Sequence, residues 1–223
     1  MGGRVVVVTG ASGALGTAVA KEAASRGFTV AGIDIGQFPS GSSDWLEFAM
    51  GGVDLSDLSS ASEAMDTIAQ QAGGISALLN IAGGFTFQGL EDSDLQDWGR
   101  MHMMNLQTAL VASKAAIPHL LADGDGRIVT MGAMAALRAT SGMGAYAASK
   151  AAIAKLTESM ADEMKGRITV NAILPTIIDT PANRADMPNA DRSSWTDPAD
   201  IAAVILMLLS PDARALTGAM LPV

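Results

Sequence analysis

The chain has 223 residues, enough for one domain with a substantial core, and 49% of them are apolar. A formal net charge of −9 argues against nucleic acid or an anionic membrane as the main partner, because phosphate binding needs clustered Lys and Arg. There is no cysteine, and the two histidines, His102 and His119, lack ligand spacing, so disulfides, thiol chemistry and a metal site are not expected.

Short β-branched runs alternate with longer helical patterns along the chain. Met1-Gly2-Gly3 leads almost at once into a strand over Arg4–Thr9, so no signal peptide is expected. A helix follows over Ala14–Arg26, a strand over Thr29–Asp34, a strand over Leu46–Val53 and a helix over Leu58–Gln71. Next come a strand over Ile75–Ile81, a long and possibly broken helix over Asp94–Leu121, and a strand over Arg127–Met131. The last elements are a helix over Met143–Lys165, a strand over Ile168–Leu174, a helix over Ala199–Leu209 and a weak strand over Gly218–Leu221. Such alternation implies a single α/β domain over 1–223, a doubly wound, mostly parallel seven-stranded sheet of Rossmann type with helices on both faces. The stretch 175–198 holds four prolines and reads as a long loop or lid. No run is apolar and long enough to span a bilayer, and a cytoplasmic location is expected.

The first strand runs into Thr9-Gly10-Ala11-Ser12-Gly13-Ala14-Leu15-Gly16 and then into a helix. Strand, glycine turn and helix N-terminus together make an anion site, because small residues let the backbone approach a pyrophosphate and the helix end presents unpaired N–H groups. The second strand ends at Asp34, where a carboxylate can accept hydrogen bonds from adenosine ribose hydroxyls. That carboxylate would repel a 2′-phosphate, and neither the turn nor Ile35-Gly36-Gln37 supplies a basic residue. NAD(H) is therefore expected over NADP(H).

Tyr146 and Lys150 stand four residues apart near the start of a predicted helix, on one face of it. Tyr146 is the only tyrosine of the chain. A free tyrosine titrates near pH ~10, and a neighbouring ammonium is expected to lower that value.

The glycine turn, Asn80-Ile81-Ala82-Gly83 after the fourth strand, Asn105 in the long helix and the Tyr146/Lys150 pair recur in order along essentially the whole chain. In combination they resemble the short-chain dehydrogenase/reductase family. The resemblance implies that Gly10, Ser12, Ala14, Leu15 and Gly16 surround the pyrophosphate, that Asp34 and Ile35 hold the adenosine ribose, and that Asp54 and Leu55 flank the adenine. It further implies that Asn80, Ala82 and Gly83 line the cofactor's middle and that Pro175, Ile178 and Thr180 meet the nicotinamide end. Lys150 would bind the nicotinamide ribose and tune Tyr146 as the proton-exchanging group, with Asn105 supporting Lys150 through a water. A homodimer or homotetramer built on the two long helices is also implied.

Two positions depart from the family pattern. Ala14 replaces the middle glycine of the turn, a small change. Ala133 stands thirteen residues before the tyrosine, where the family carries a catalytic serine. Losing one donor to a reacting carbonyl costs on the order of 10²–10³ in rate. Either Thr140 or Ser141 substitutes, or the substrate needs less polarisation. The segment from Gly132 to Met143, the turn, Ala82-Gly83-Gly84 and the lid residues through Trp195 resemble dihydropteridine reductases, family members that also lack the serine and reduce a conjugated quinonoid ring with NADH. Phe85 and Trp195 are candidate pocket residues; for Met101-His102-Met103-Met104, packing is favoured over ligand contact. The leading expectation is an NADH-dependent reductase of a conjugated C=N or C=O small molecule. An alcohol or ketone dehydrogenase using Ser141 or Thr140, and an NAD(H)-binding sensor with weakened catalysis, are the alternatives.

Overall fold

A computed structural model describes residues 3–223; Met1 and Gly2, where the signal-peptide reading begins, lie outside it. Seven parallel strands form one sheet in the order β3-β2-β1-β4-β5-β6-β7. They are β1 (Val5–Thr9), β2 (Thr29–Ile33), β3 (Phe48–Met50), β4 (Ala77–Asn80), β5 (Gly126–Met131), β6 (Ile168–Leu174) and β7 (Met220–Pro222). Along β1 the side chains alternate between two cores. Val6 and Val8 pack with Val19, Ala20, Ile201 and Ile205 on one face, while Val5 and Val7 pack with Met65, Ile68, Leu120 and Met160 on the other. The first face is covered by helices α1 (Ala14–Ser25) and α7 (Pro198–Leu208), and the second by α2 (Leu58–Ala72), α4 (Thr108–Asp123) and α5 (Gly144–Glu163). Burial on both sides explains why the central strands read as unbroken apolar runs.

The strand order reverses between β1 and β4. In an open parallel sheet the crevice at such a switch point, outside the C-terminal strand ends, is the ligand site. It receives the turn after β1, the loop after β4 and the chain after β5 and β6.

Several boundaries differ from the sequence expectation for local reasons. β3 is three residues long, an edge strand terminated before Gly51-Gly52, where Gly52 has φ +78°. β7 begins at Met220 because Gly218 takes φ +76°, and it can end in Pro222 because an edge strand tolerates a missing N–H. The long helix is broken as a π turn: α3 (Leu95–Met101) passes through a π-helical segment over His102–Gln107 into α4. No proline or glycine marks that change, so periodicity could not locate it. Inside the lid a short helix α6 (Pro181–Asp186) forms, with Thr180 accepting from the Asn183 N–H as its N-cap and Pro181 in the first turn.

Candidate active site

The glycine turn is shaped by close approaches. Gly10 takes φ +65°, and a Cβ there would lie 2.8 Å from the Ala82 Cα. A Cβ on Gly16 would collide with the Gly10 carbonyl, which binds the helix start tightly to the turn. Gly13 is the N-cap of α1 and carries no capping side chain, and the first turn of α1 holds no acid. The first N–H groups of α1 are thus left for an external anion. Ala14 is exposed, so the missing middle glycine costs no space, whereas Leu15 turns inward to the core. The cradle fits a dinucleotide pyrophosphate.

Asp34 is tied to that turn. Its Oδ2 accepts from the Ser12 N–H at 3.0 Å and the Ser12 hydroxyl at 2.7 Å, and its Oδ1 accepts from the Gly36 N–H at 3.0 Å. Ile35 beside it is 72% exposed. Further along the sheet edge Asp54 is exposed and accepts from the Ser56 N–H and hydroxyl, bonds that hold its carboxyl below the usual range. The Leu55 side chain is buried in the core, so only its backbone can face an adenine.

Thr9, at the end of β1, orders the loop after β4: its hydroxyl accepts from the N–H groups of Ile81 and Ala82, both at 3.1 Å. Asn80 is buried, and its amide donates to the Ser113 hydroxyl at 2.9 Å. Its side chain therefore ties the end of β4 to α4 and does not line the groove. Ala82 and Gly83 remain at the surface of the crevice.

Asn105 is carried inward by the π turn and is 1% exposed. Its Oδ1 accepts from the Gly84 N–H at 3.0 Å, and its Nδ2 donates to the Gly84 carbonyl at 3.1 Å and the Ser149 hydroxyl at 2.9 Å. The Ser149 hydroxyl in turn donates to the Tyr146 carbonyl at 2.7 Å. Lys150, 6% exposed, donates from Nζ to the Met131 carbonyl at 2.8 Å. The direct protein partners of the Asn105 side chain are thus Gly84, Ser149 and, at 4.0 Å, the Met101 sulfur. Gly83 lies where both side chains converge, with Asn105 Oδ1 and Lys150 Nζ its nearest side-chain neighbours.

The electrostatics of the pair correct one expectation. Burial pushes the Tyr146 phenol up to about 12 and the Lys150 ammonium down to about 8. The nearby ammonium, 5.8 Å from the Tyr146 ring centroid, does not offset the loss of hydration. Phe85 contributes to that cover: its ring meets Tyr146 edge-on at 4.9 Å while remaining 52% exposed. About half of the Phe85 surface next to Tyr146 is thereby left open to solvent.

Ala133 is 4% exposed and begins the turn that follows β5, held by the Met134 N–H donating to the Pro175 carbonyl at 3.0 Å. The Thr140 hydroxyl donates to Met143 Sδ at 3.0 Å. Thr140 and Ser141 line a side cavity of about 250 Å³ with Thr86, Ser93, Asp97 and Trp98, and Tyr146 is not part of its wall. The Phe87 ring lies close over Gly142, another residue of the cavity wall. Among the methionines, Met101 is buried and Met104 packs on Gly84, so both serve packing.

The lid is closed on itself. Ile178 bridges Thr196, the Asp179 N–H donates to the Thr196 carbonyl at 2.9 Å, and Arg184 forms a two-pronged pair with Asp179. Pro175 is buried at its root and Thr180 caps α6. Trp195 stacks with Arg192, 5.7 Å from its ring centroid, within the lid. Ser149 and Gln107 stand in no sequence motif; Ser149, three residues from Tyr146 on the same helix face, is the one that spacing can flag. Among the described residues there is no group of three or more His, Asp or Glu that could hold a metal ion, and no helix long and apolar enough to cross a membrane.

Residues 4–191 match the family model described as short chain dehydrogenase. The 2-(S)-hydroxypropyl-CoM dehydrogenase 3 of Xanthobacter autotrophicus is 30% identical, the match covering 96% of this chain and 92% of that one. The 3-oxoacyl-(acyl-carrier-protein) reductase of Vibrio harveyi is also 30% identical, over 97% of this chain and 93% of its own. Among solved structures, the ligand-free aldohexose dehydrogenase of Thermoplasma acidophilum superposes with a TM-score of 0.90 at 28% identity, covering 99% of this chain and 92% of that one. Carveol dehydrogenase of Mycobacterium avium, solved in complex with NAD, gives 0.87 at 25% identity, covering 99% and 96%.

Proposed function

This chain belongs to the short-chain dehydrogenase/reductase family of oxidoreductases, and from that premise we propose that it is an NADH-dependent reductase of a conjugated C=N or C=O compound, quinonoid dihydropteridine-like in its electronics. The observation that carries the reading is the combination at the crevice: Asn105 and Tyr146 are joined through Ser149, Lys150 on the same helix is anchored to the Met131 carbonyl, and a buried alanine, Ala133, stands where the family serine would.

Bound in the groove, the nicotinamide supplies the hydride. Gly10, Gly13 and Gly16 with the α1 N-terminus would hold the pyrophosphate, and the Asp34 carboxylate would receive the ribose hydroxyls. With Ser12 and Gly36 already donating to it and no basic residue in the turn, this subsite favours an unphosphorylated ribose, hence NAD(H) over NADP(H). Lys150 would fasten the nicotinamide ribose.

Tyr146 remains a phenol throughout the physiological range, so it carries the proton that a reduction consumes. It delivers that proton to the heteroatom of the conjugated system, whose far carbon or nitrogen receives the hydride. Lys150 is mainly protonated at neutral pH, and its charge stabilises the phenolate left behind. A conjugated acceptor delocalises the developing charge and regains ring stabilisation, which lessens the demand for the hydroxyl missing at Ala133. The open face of Phe85 suits a planar substrate.

A second reading, an NAD-dependent alcohol or ketone dehydrogenase, draws support from the names of relatives such as the 2-(S)-hydroxypropyl-CoM dehydrogenase. It requires Ser141 or Thr140 to reach the reacting oxygen, although Thr140 already donates to Met143 and both line the side cavity. Steady-state turnover of quinonoid dihydropterin, quinones, aromatic ketones and secondary alcohols with NADH or NAD separates the two. Dominance of alcohol oxidation, lost in Ser141→Ala, would establish the second. Assembly through the outer faces of α4 and α5 into a dimer or tetramer is proposed as well, and sedimentation analysis tests it.

A further inference from the structure

The π turn carries a second polar side chain whose partner lies at the other end of the groove. Gln107, its last residue, donates from Nε2 to the Ser56 carbonyl at 2.9 Å. Ser56 closes the turn after β3, donating its N–H and hydroxyl to Asp54 Oδ1 at 2.8 and 2.7 Å. The Asp57 N–H returns to the Asp54 carbonyl, and the Asp57 carboxylate caps α2 by accepting from the Ser60 N–H. This segment follows Gly51-Gly52, where the backbone has more freedom than elsewhere, so its geometry depends on such tethers. Two residues before Gln107, Asn105 holds Gly84 and Ser149 at the proton-donor end. One irregular turn of helix thus fastens both ends of the crevice. Such π turns occur frequently at functional sites.

We infer that Gln107 is a positioning residue for the adenine end of the cofactor groove: by holding the Ser56 carbonyl it fixes the Asp54 carboxylate and the Leu55 backbone that the adenine meets. The inference rests on the reading that Asp54 and Leu55 flank the adenine. Without the tether the loop samples orientations that a bound adenine must then select, which weakens binding of the adenylate half only.

The test measures ADP-ribose binding by calorimetry and reduced nicotinamide mononucleotide binding by fluorescence, on wild type, Gln107→Ala, Gln107→Glu and Gln107→Lys, with a thermal melt of each. Gln107→Ala should weaken ADP-ribose by about fivefold, the scale of one hydrogen bond. Gln107→Glu keeps the size but places an acceptor against the Ser56 carbonyl, so it should weaken ADP-ribose at least as much. Gln107→Lys keeps a donor and should restore most of the affinity. Binding of the mononucleotide should stay unchanged in all three. A Gln107→Glu protein that binds ADP-ribose like wild type would show that packing suffices and overturn the inference, as would parallel loss of both ligands. If wild type binds the mononucleotide but not ADP-ribose, the placement of adenine at Asp54 fails, and the role of Gln107 falls with it.

Discussion

Ser12 donates both its backbone N–H and its hydroxyl to one oxygen of Asp34, at 3.0 and 2.7 Å, so the glycine turn and the acid after the second strand form one unit. Replacing Asp34 removes the ribose acceptor and loosens the turn together. Asp34→Ala is expected to cost about 1–2 kcal/mol of stability, the scale of bonds to a half-exposed charged group. It should also lower the ratio of NADH to NADPH affinity by about tenfold or more, since the repulsion toward a 2′-phosphate goes with the carboxylate. Thermal melts and paired titrations with the two cofactors measure both effects.

Tyr146→Phe keeps the ring that Phe85 meets and removes only the transferable proton. The reductive kcat should fall by about 10²–10⁴, the usual contribution of a general acid. NADH affinity should stay within about twofold, because Lys150 and its bond to the Met131 carbonyl are untouched. Stopped-flow binding and steady-state rates read the two quantities separately.

Lys150 gives a pH signature. Its folded value, about 8, lies below the ordinary 10.5 because burial penalises the charged form. Between those values the unfolded chain holds a proton that the folded chain has released, so this group's contribution to stability rises with pH. Below about pH 8 the ammonium is carried at its full cost. The difference in unfolding free energy between wild type and Lys150→Met should therefore shift in favour of wild type by ~2 kcal/mol from pH 7 to 9.5. Tyr146, raised to about 12 by burial, works in the opposite direction but only above about pH 10. Denaturant titrations at several pH values below that limit test the sign.

Restoring the family hydroxyl separates activated from unactivated substrates. Ala133→Ser adds one oxygen at a position that is 4% exposed beside the crevice. It should raise turnover of an isolated ketone by about tenfold or more and change that of a conjugated acceptor by less than about threefold. A matching gain on both substrates would mean that conjugation does not relieve the need for the serine.

The sheet and its site were largely legible because their signals are local. Val5–Thr9 is apolar throughout, Gly10 needs its positive φ, and Asp34 closes the second strand. The Tyr146 to Lys150 spacing set both on one helical face. What stayed hidden depends on tertiary contacts. The π turn over His102–Gln107 has no breaker in its sequence, yet it decides that Asn105 turns inward to Gly84 and Ser149. Asn80 read as a groove residue, but its amide is drawn under α4 by Ser113, thirty-three residues away. The upward shift of Tyr146 is hidden as well, because spacing reveals the neighbouring charge and not the burial that outweighs it.

The most direct test of the central claim compares kcat/KM, with NADH at saturation, for a quinonoid dihydropterin and for an unconjugated ketone of similar size, in wild type and in Tyr146→Phe. The conjugated acceptor should be favoured by about 10² or more, in keeping with the donor missing at Ala133, and its turnover should collapse in Tyr146→Phe. Equal or better turnover of the unconjugated ketone, or full activity without the Tyr146 hydroxyl, would contradict the account.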